Sequence, residues 1–264
     1  MLLFLYSVFV EIFPLHTPTL KSGDDLVALL MQATAFADGD ILVLSSKAVA
    51  TVEGAAIDLR AVKPSKEARM WAERCGKSPE FRQAILDETK RLHGKVAGGC
   101  PFAMLTELRP DGFPEGSLLV PNAGLDQSNV PEGFCIGWPV DPLASVRAIR
   151  SALESKTKKH VAVILSDSCC RPRRLGVTAF ALVASGLDPL ASQIGRKDLF
   201  GRELTMTVEA VADQLATAAN AVMGNADQST PAAIIREHTI PLSDFEGWVP
   251  GITREDDLFS QTGY

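Results

Sequence analysis

The 264-residue chain contains neither a G-x-x-x-x-G-K-[ST] nor a G-x-G-x-x-G stretch, so a Walker-type or Rossmann nucleotide site is set aside at once. Its five cysteines, at 75, 100, 135, 169 and 170, include no C-x-x-C pair and are odd in number, indicating neither a zinc knuckle nor a disulfide framework. The four histidines, at 16, 93, 160 and 238, show no ligand spacing and read as surface or boundary residues. Basic residues are in deficit, 26 against 32 acidic ones for a net charge of −6. That argues against a nucleic-acid surface and leaves anionic partners to local Arg and Lys clusters or to metal. The opening apolar run, Met1 to Val10, is too short to span a bilayer. It also lacks the basic start and small-residue cleavage site of a leader, and Glu11 follows directly. It reads as an edge or core strand running into Ile12-Phe13-Pro14. Repeats, heptads, low-complexity tracts and long linkers are missing as well.

At 46% hydrophobic and 22% charged, the chain can bury a sizeable core. Its composition reads as a globular protein of a reducing cytoplasm. The fold class expected is α+β, a single intimate mixed α/β architecture with mixed sheets. It spans 1–264 as one domain, or as two interleaved subdomains with no clean boundary in sequence. Leu26, Leu29, Leu30 and Ala33 repeat at helical spacing behind Asp24-Asp25, and Ile41 to Leu44 reads as a buried strand. Ser78 as cap and Pro79 at the first helical position open a helix with Phe81, Ile85, Thr89 and Leu92 on one face. Leu143, Val146, Ile149 and Leu153 mark another, leading to a strand at 161–165. The longest helix is expected from about Val208 to Val222, with Glu209 and Asp213 on a solvated flank, and Met223-Gly224 stops it. The Gly- and Pro-rich segment 94–117 reads as a strand-loop-strand excursion.

Two short acidic segments carry the chemistry. Asn122-Ala-Gly-Leu-Asp126-Gln-Ser128-Asn129 forms a loop, and Ser166-Asp167-Ser168 closes the apolar run Val161 to Leu165. Each sets a carboxylate at the mouth of a hydrophobic scaffold, where hard cations such as Mg²⁺ or Mn²⁺ find oxygen ligands. They read as halves of one metal site. Two stretches could grip phosphate through backbone N–H groups and hydroxyls: Ser45-Ser46-Lys47 and Met223 to Thr230. Either alone also reads as a plain loop. Arg171-Pro-Arg173-Arg174 supplies guanidinium forks for an anionic substrate, or a solvated basic turn. Cys169 and Cys170 lie close by, but no histidine or resolving cysteine accompanies them as a redox or nucleophilic site requires.

Taken in order along the chain, these residues resemble the coenzyme F-420 gamma-glutamyl ligases. The agreement runs from Gly23-Asp-Asp-Leu26 through Asp38 to Val43, Val52-Glu-Gly54, and Pro64 to Lys90. It is densest at Asn122 to Val130, Asp167 to Gly176, and Gly201-Arg-Glu-Leu204 through Ala210 to Asp213 and Met223-Gly224. The resemblance implies GTP-dependent amide formation between L-glutamate and a carboxylate on a deazaflavin precursor, with two divalent ions, Mg or Mn, and K as a further candidate.

By position, the resemblance assigns Asp126, Asp167, Ser168 and Asn225 to metal. Ser168 stands where the family usually has threonine, and Asn225 where it often has an acid. The nucleotide falls to Thr17, Pro18, Thr19, Leu20, Ser46, Lys47 and Asn129, and to Met223, Gly224, Asn225, Ala226, Asp227, Gln228, Ser229 and Thr230. Arg171 and Arg174 match the arginines of the family's DTxGRPxR pattern and go to the anionic substrate. No separate catalytic side chain is implied, because positioning and charge do most of the work in such transfers. A homodimer, with the apolar N-terminal strand exchanged or interfacial, is implied too. Thr51 in place of a lysine, Asn225 in place of an acid and Cys170 in place of a glycine depart from the pattern. They leave open a binding or regulatory relative, or a ligase for another carboxylate.

Overall fold

A computed structural model describes residues 9–262; the expectation for the first eight residues lies outside them. The elements follow in the order β1 (Glu11–Leu15), α1 (Leu26–Ala33), β2 (Ile41–Ser45), α2 (Ser46–Val52), β3 (Ile57–Asp58), α3 (Lys66–Cys75), α4 (Pro79–Arg91), β4 (Lys95–Gly99), β5 (Met104–Leu108), β6 (Leu118–Pro121), β7 (Phe134–Cys135), α5 (Pro142–Thr157), β8 (Ala162–Cys170), β9 (Val177–Ser185), β10 (Ala191–Ser192), β11 (Val208–Glu209), α6 (Val211–Met223), β12 (Ala232–Arg236) and β13 (Glu246–Trp248).

A six-stranded sheet in the order β1-β12-β2-β8-β9-β13 forms the scaffold. Its neighbours are antiparallel except for β2 and β8, which run parallel. This is the mixed α+β architecture the sequence predicts. Residues 41–44 of β2 and 162–165 of β8 are apolar without interruption because both faces of the sheet are covered there. Ile41, Val43, Ala162 and Ile164 meet α6 on one side. Leu42, Leu44, Val163 and Leu165 join Leu30 of α1, Ile85 of α4 and Leu153 of α5 on the other. Each fully buried Leu or Ile contributes about 1.5–3 kcal/mol of apolar burial, so this pair of strands is the firmest base available for a site.

The helices begin where their caps direct. Asp25, Ser65, Ser78 and Asp141 each accept a backbone N–H three residues on, and Pro79 and Pro142 occupy first-turn positions. The segment 94–117 forms β4 and β5 and leads into β6, giving a second, three-stranded antiparallel sheet. β6 feeds straight into Asn122.

The expected start of the longest helix is corrected. The helix anticipated from about Val208 starts at Val211, and α5, with 16 residues, exceeds its 13. Val208 and Glu209 instead pair antiparallel with Ser192 and Ala191. Val208 fits the helical stripe by spacing, yet a β-branched residue fits a ladder equally well, and tertiary pairing decides. The strands β10 and β11 are the stem of an arm, closed further out by a bridge between Lys197 and Glu203. The arm holds Leu199, Phe200 and Met206 at 101%, 88% and 84% exposure.

Candidate active site

The parallel strands end at a common edge, the place where open sheets with parallel strands gather ligands. Ser45 pairs with Ser166, and β8 then continues four residues beyond β2. Its register against β9 shifts between Leu165 and Ser166, leaving Leu182 as an extra residue on β9. Such a bulge re-aims the side chains that follow it, and the next residue is Asp167.

β2 turns without a loop into α2, which puts Ser46 and Lys47 in its first turn. Ser46 is buried. Lys47 Nζ reaches 79 residues along the chain to Asp126 Oδ2 at 2.5 Å, and also donates to Ser128 Oγ at 2.7 Å. The Ser128 hydroxyl donates to the same Asp126 oxygen, and the Gln127 N–H to the other at 2.7 Å. Partial burial acts to raise the Asp126 pKa. The hydrogen bonds from Lys47 and Ser128, with the lysine charge, outweigh it and bring the carboxyl down to about 2.

The loop carrying Asp126 is held in an uncommon shape. Asn122, Ala123 and Gly124 all have left-handed backbone, at φ 54°, 52° and 76°, a conformation that costs of order 1 kcal/mol or more for a residue other than glycine. Neighbours impose it. Arg82, wholly buried, donates to Asn122 Oδ1 at 3.0 Å and to the carbonyls of Gly76 and Cys75. Met104 N–H donates to the same Asn122 oxygen, and Ala123 N–H donates to Thr106 Oγ1. At Gly124 a Cβ would stand 2.6 Å from the Trp138 ring, so only glycine fits.

Asp167 is half-buried. Its Oδ2 accepts the Trp138 indole N–H at 2.7 Å and its Oδ1 the N–H of Ser168 at 2.8 Å. Desolvation dominates these bonds and raises its pKa, while the charges of Lys47 and Asp126 act on it in opposite senses. The two acidic segments, 41 residues apart in the chain, therefore share one electrostatic environment.

The other expected segments close round the same edge. Asn129 Nδ2 donates to Ala226 O at 2.8 Å, Thr17 N–H to Ser229 O at 3.1 Å, and Ser45 N–H to Pro231 O at 2.9 Å. Gln228 fills the space beside Gly224, where a Cβ would come within 2.6 Å of it, and accepts the Ala226 N–H. Asn225, Ala226, Asp227, Gln228 and Ser229 are exposed in this turn, whereas Met223 belongs to the core beneath α6. Arg171 and Arg174 lie on the exposed β8–β9 turn, with Arg171 Nη2 4.0 Å from Asp213. Asp213 is not on a solvated flank: its Oδ1 accepts the Ala181 N–H of β9 at 2.8 Å. Thr51 sits a turn along α2 from Lys47, its hydroxyl donating to the Lys47 carbonyl. Burial pushes the Cys169 thiol up to about 12, which leaves it a poor nucleophile.

Sequence reasoning overlooks Trp138 and Arg82. Both are single residues without charge pairing or periodic neighbours to announce them, and only the folded loop reveals what they touch.

A lysine just after β2, a carboxylate on β8 and a second carboxylate on a neighbouring loop, ringed by small polar turns, form a site suited to a charged ligand. Residues 14–237 match the family model described as F420-0:Gamma-glutamyl ligase. Relatives named coenzyme F420:L-glutamate ligase are 40% identical in Methanopyrus kandleri (over 86% of each chain) and 39% in Methanocaldococcus jannaschii (95% of this chain, 96% of the other). The one in Archaeoglobus fulgidus is 40% identical over 86% of this chain and 87% of its own. The chain belongs to the F420-0:gamma-glutamyl ligase family.

Proposed function

We propose that the protein joins L-glutamate through an amide bond to a carboxylate of the coenzyme F420 precursor, consuming GTP by way of an acyl phosphate. Family membership supports the ligation, and the Lys47–Asp126–Asp167 cluster is the observation that carries the mechanism. A carboxylate is a poor acyl donor, because its leaving group would be oxide. Transfer of the γ-phosphoryl group from GTP to the carboxylate oxygen releases GDP and leaves an acyl phosphate. The glutamate amine then attacks the acyl carbon, the C–O bond breaks with its electron pair going to phosphate, and the amine gives up a proton.

Among the described residues no group of three or more His, Cys, Asp or Glu could hold a metal by itself. A Mg²⁺ or Mn²⁺ ion held here would therefore need phosphate oxygens and water to complete its shell. Asp126, Asp167 and the Ser168 hydroxyl would hold two such ions, with Asn225 a weaker neutral ligand. The ions would supply charge neutralisation for the migrating phosphoryl group. Lys47, which pairs with Asp126 here, would exchange that carboxylate for a phosphate oxygen when nucleotide binds, since either is an anionic acceptor for its ammonium. The loops 17–20 and 224–230, with Asn129, would bracket the nucleotide, with Met223 anchoring the second of them in the core; Arg171 and Arg174 would meet the anionic tail of the acceptor. The exposed apolar arm carrying Leu199 and Phe200 supports a homodimer. No helix among the described residues is long and apolar enough to cross a membrane.

Purified protein incubated with GTP, Mn²⁺, L-glutamate and the deazaflavin precursor is expected to yield a product one glutamyl unit heavier, with GDP and phosphate in equal amounts. Failure of the mass gain with every acceptor tried, in the presence of either GTP or ATP, would refute the ligase reading.

A further inference from the structure

Trp138 touches one carboxylate directly and the loop that carries the other. Its Nε1 donates to Asp167 Oδ2 at 2.7 Å. Its ring occupies the space against Gly124, two residues before Asp126, so closely that a Cβ there would approach Cε2 to 2.6 Å. The strand-like segment leading to it is bonded to Asp126 itself: Asp126 N–H donates to Ile136 O at 2.8 Å, and Ile136 N–H donates to Asp126 O at 2.9 Å. The indole is buried and braced from behind. Trp248 stands 6.3 Å away centroid to centroid, and is fixed in turn by Phe113 at 5.9 Å and by donating its own N–H to Asp111 O.

We propose that Trp138 is a positioning residue, which sets the rotamer of Asp167 and its spacing from Asp126 so that the pair can share divalent cations. The inference rests on the metal-dependent reading given above. An indole N–H can only donate, so Trp138 cannot itself ligate a cation. Its hydrogen bond occupies one lone pair of Oδ2 and leaves the second for metal, while Ser168 N–H does the same at Oδ1. Partners that orient a ligating side chain change metal affinity without touching the metal. A ring that also walls off Gly124 couples that orientation to the loop carrying the second carboxylate.

The test separates the N–H from the ring. Trp138→Phe keeps an apolar ring and loses the donor; 3-(3-benzothienyl)alanine at 138 keeps the shape of tryptophan with sulfur in place of the N–H; 5-fluorotryptophan at 138 keeps both. Mn²⁺ binding, followed by the paramagnetic resonance of free Mn²⁺ with and without GDP, is expected to weaken about 10–100-fold in the first two proteins. It should be unchanged in the third. In turnover the Mn²⁺ concentration for half-activation rises in the same proportion, while KM for glutamate stays put, a split that general loosening of the fold does not produce. Wild-type Mn²⁺ affinity in both donor-less proteins overturns the inference and leaves the metal reading standing. Loss with Phe but not with benzothienylalanine also overturns it, since packing would then suffice. Absence of Mn²⁺ binding by the wild-type protein removes the metal reading and the inference together.

Discussion

Asp126 and Asp167 carry the same side chain in opposite settings. Asp126 sits on a loop, with half its side chain exposed, and is matched by an ammonium, a hydroxyl and a backbone N–H. Asp167 sits on the central sheet, half-buried, where its partners are one indole and one backbone N–H and desolvation raises its pKa. The loop carboxylate is thus satisfied before any ligand arrives, and the strand carboxylate is left with an electrostatic debt. A site built this way keeps one anion soluble and ready while the other favours the arrival of positive charge.

The sharpest way to break that contrast is to neutralise each acid in turn. Asp126→Asn and Asp167→Asn should both lower ligation on the order of 10³-fold, since several kcal/mol of charge stabilisation is lost with either. Their melting temperatures should move in opposite directions. A raised native pKa means that Asp167 contributes stability below its unfolded value of 3.8 and loses it as pH rises through the native value. At pH 7 the ionised group is a cost; in the amide the one oxygen accepts the Trp138 N–H while the N–H of Ser168, an exposed residue, turns to water. Asp167→Asn is expected to melt higher, and Asp126→Asn, which strips Lys47 of its partner, to melt lower. Differential scanning calorimetry at pH 7 reads both; shifts of the same sign would end the comparison.

Lys47 is the next lever, because its hydrogen bond is the largest influence lowering the Asp126 pKa. Lys47→Met should return that carboxyl towards 3.8 and lower kcat/KM by about 10²-fold, a loss of about 2.7 kcal/mol of transition-state stabilisation. It should also alter acid unfolding. In the wild-type protein Asp126 contributes stability above pH 3.8 that disappears as pH falls to about 2. With half the side chain in water, screening leaves about 1 kcal/mol or less of it. Denaturant titrations at pH 4 and pH 2.5 should show a steeper decline in the wild type than in the variant, and parallel declines would remove Lys47 from its assigned role.

Much of this arrangement was legible in the chain before folding, and for physical reasons. Ile41–Leu44 and the run ending at Leu165 announce themselves because a strand buried on both faces needs apolar residues throughout. Ser78-Pro79 is a cap with a mechanism, and α4 begins there. Asp126 and Asp167 stood out as acids at the ends of apolar or turn-forming segments. α2 is not legible in the sequence, since Val49, Thr51 and Val52 in seven residues dilute any helical signal. The start of α6 is ambiguous because Val208 satisfies a helical stripe and a strand alike. Trp138 was invisible for a different reason: its role consists of what it touches at Gly124 and Asp167, 14 and 29 positions away, and no local pattern encodes distant contacts.

Ser128 provides the finest adjustment. Its hydroxyl donates to the same Asp126 oxygen that Lys47 holds, and it accepts from Lys47 at 2.7 Å, so the three groups close a small ring. Ser128→Ala removes one of the two side-chain hydrogen bonds that lower the Asp126 pKa and leaves the lysine in place. The carboxyl should rise from about 2 but stay below 3.8, by less than the change in Lys47→Met. Stability at pH 7 should fall by about 0.5 kcal/mol, since an exposed hydrogen bond is largely replaced by water. Asp167, which has Trp138 and Ser168 as its partners, should titrate as before. Carboxyl-carbon NMR of aspartate-labelled protein resolves the two acids. A shift at Asp167 as large as that at Asp126 would show that the loop and the strand respond as one unit, and would erase the distinction between the satisfied carboxylate and the unsatisfied one.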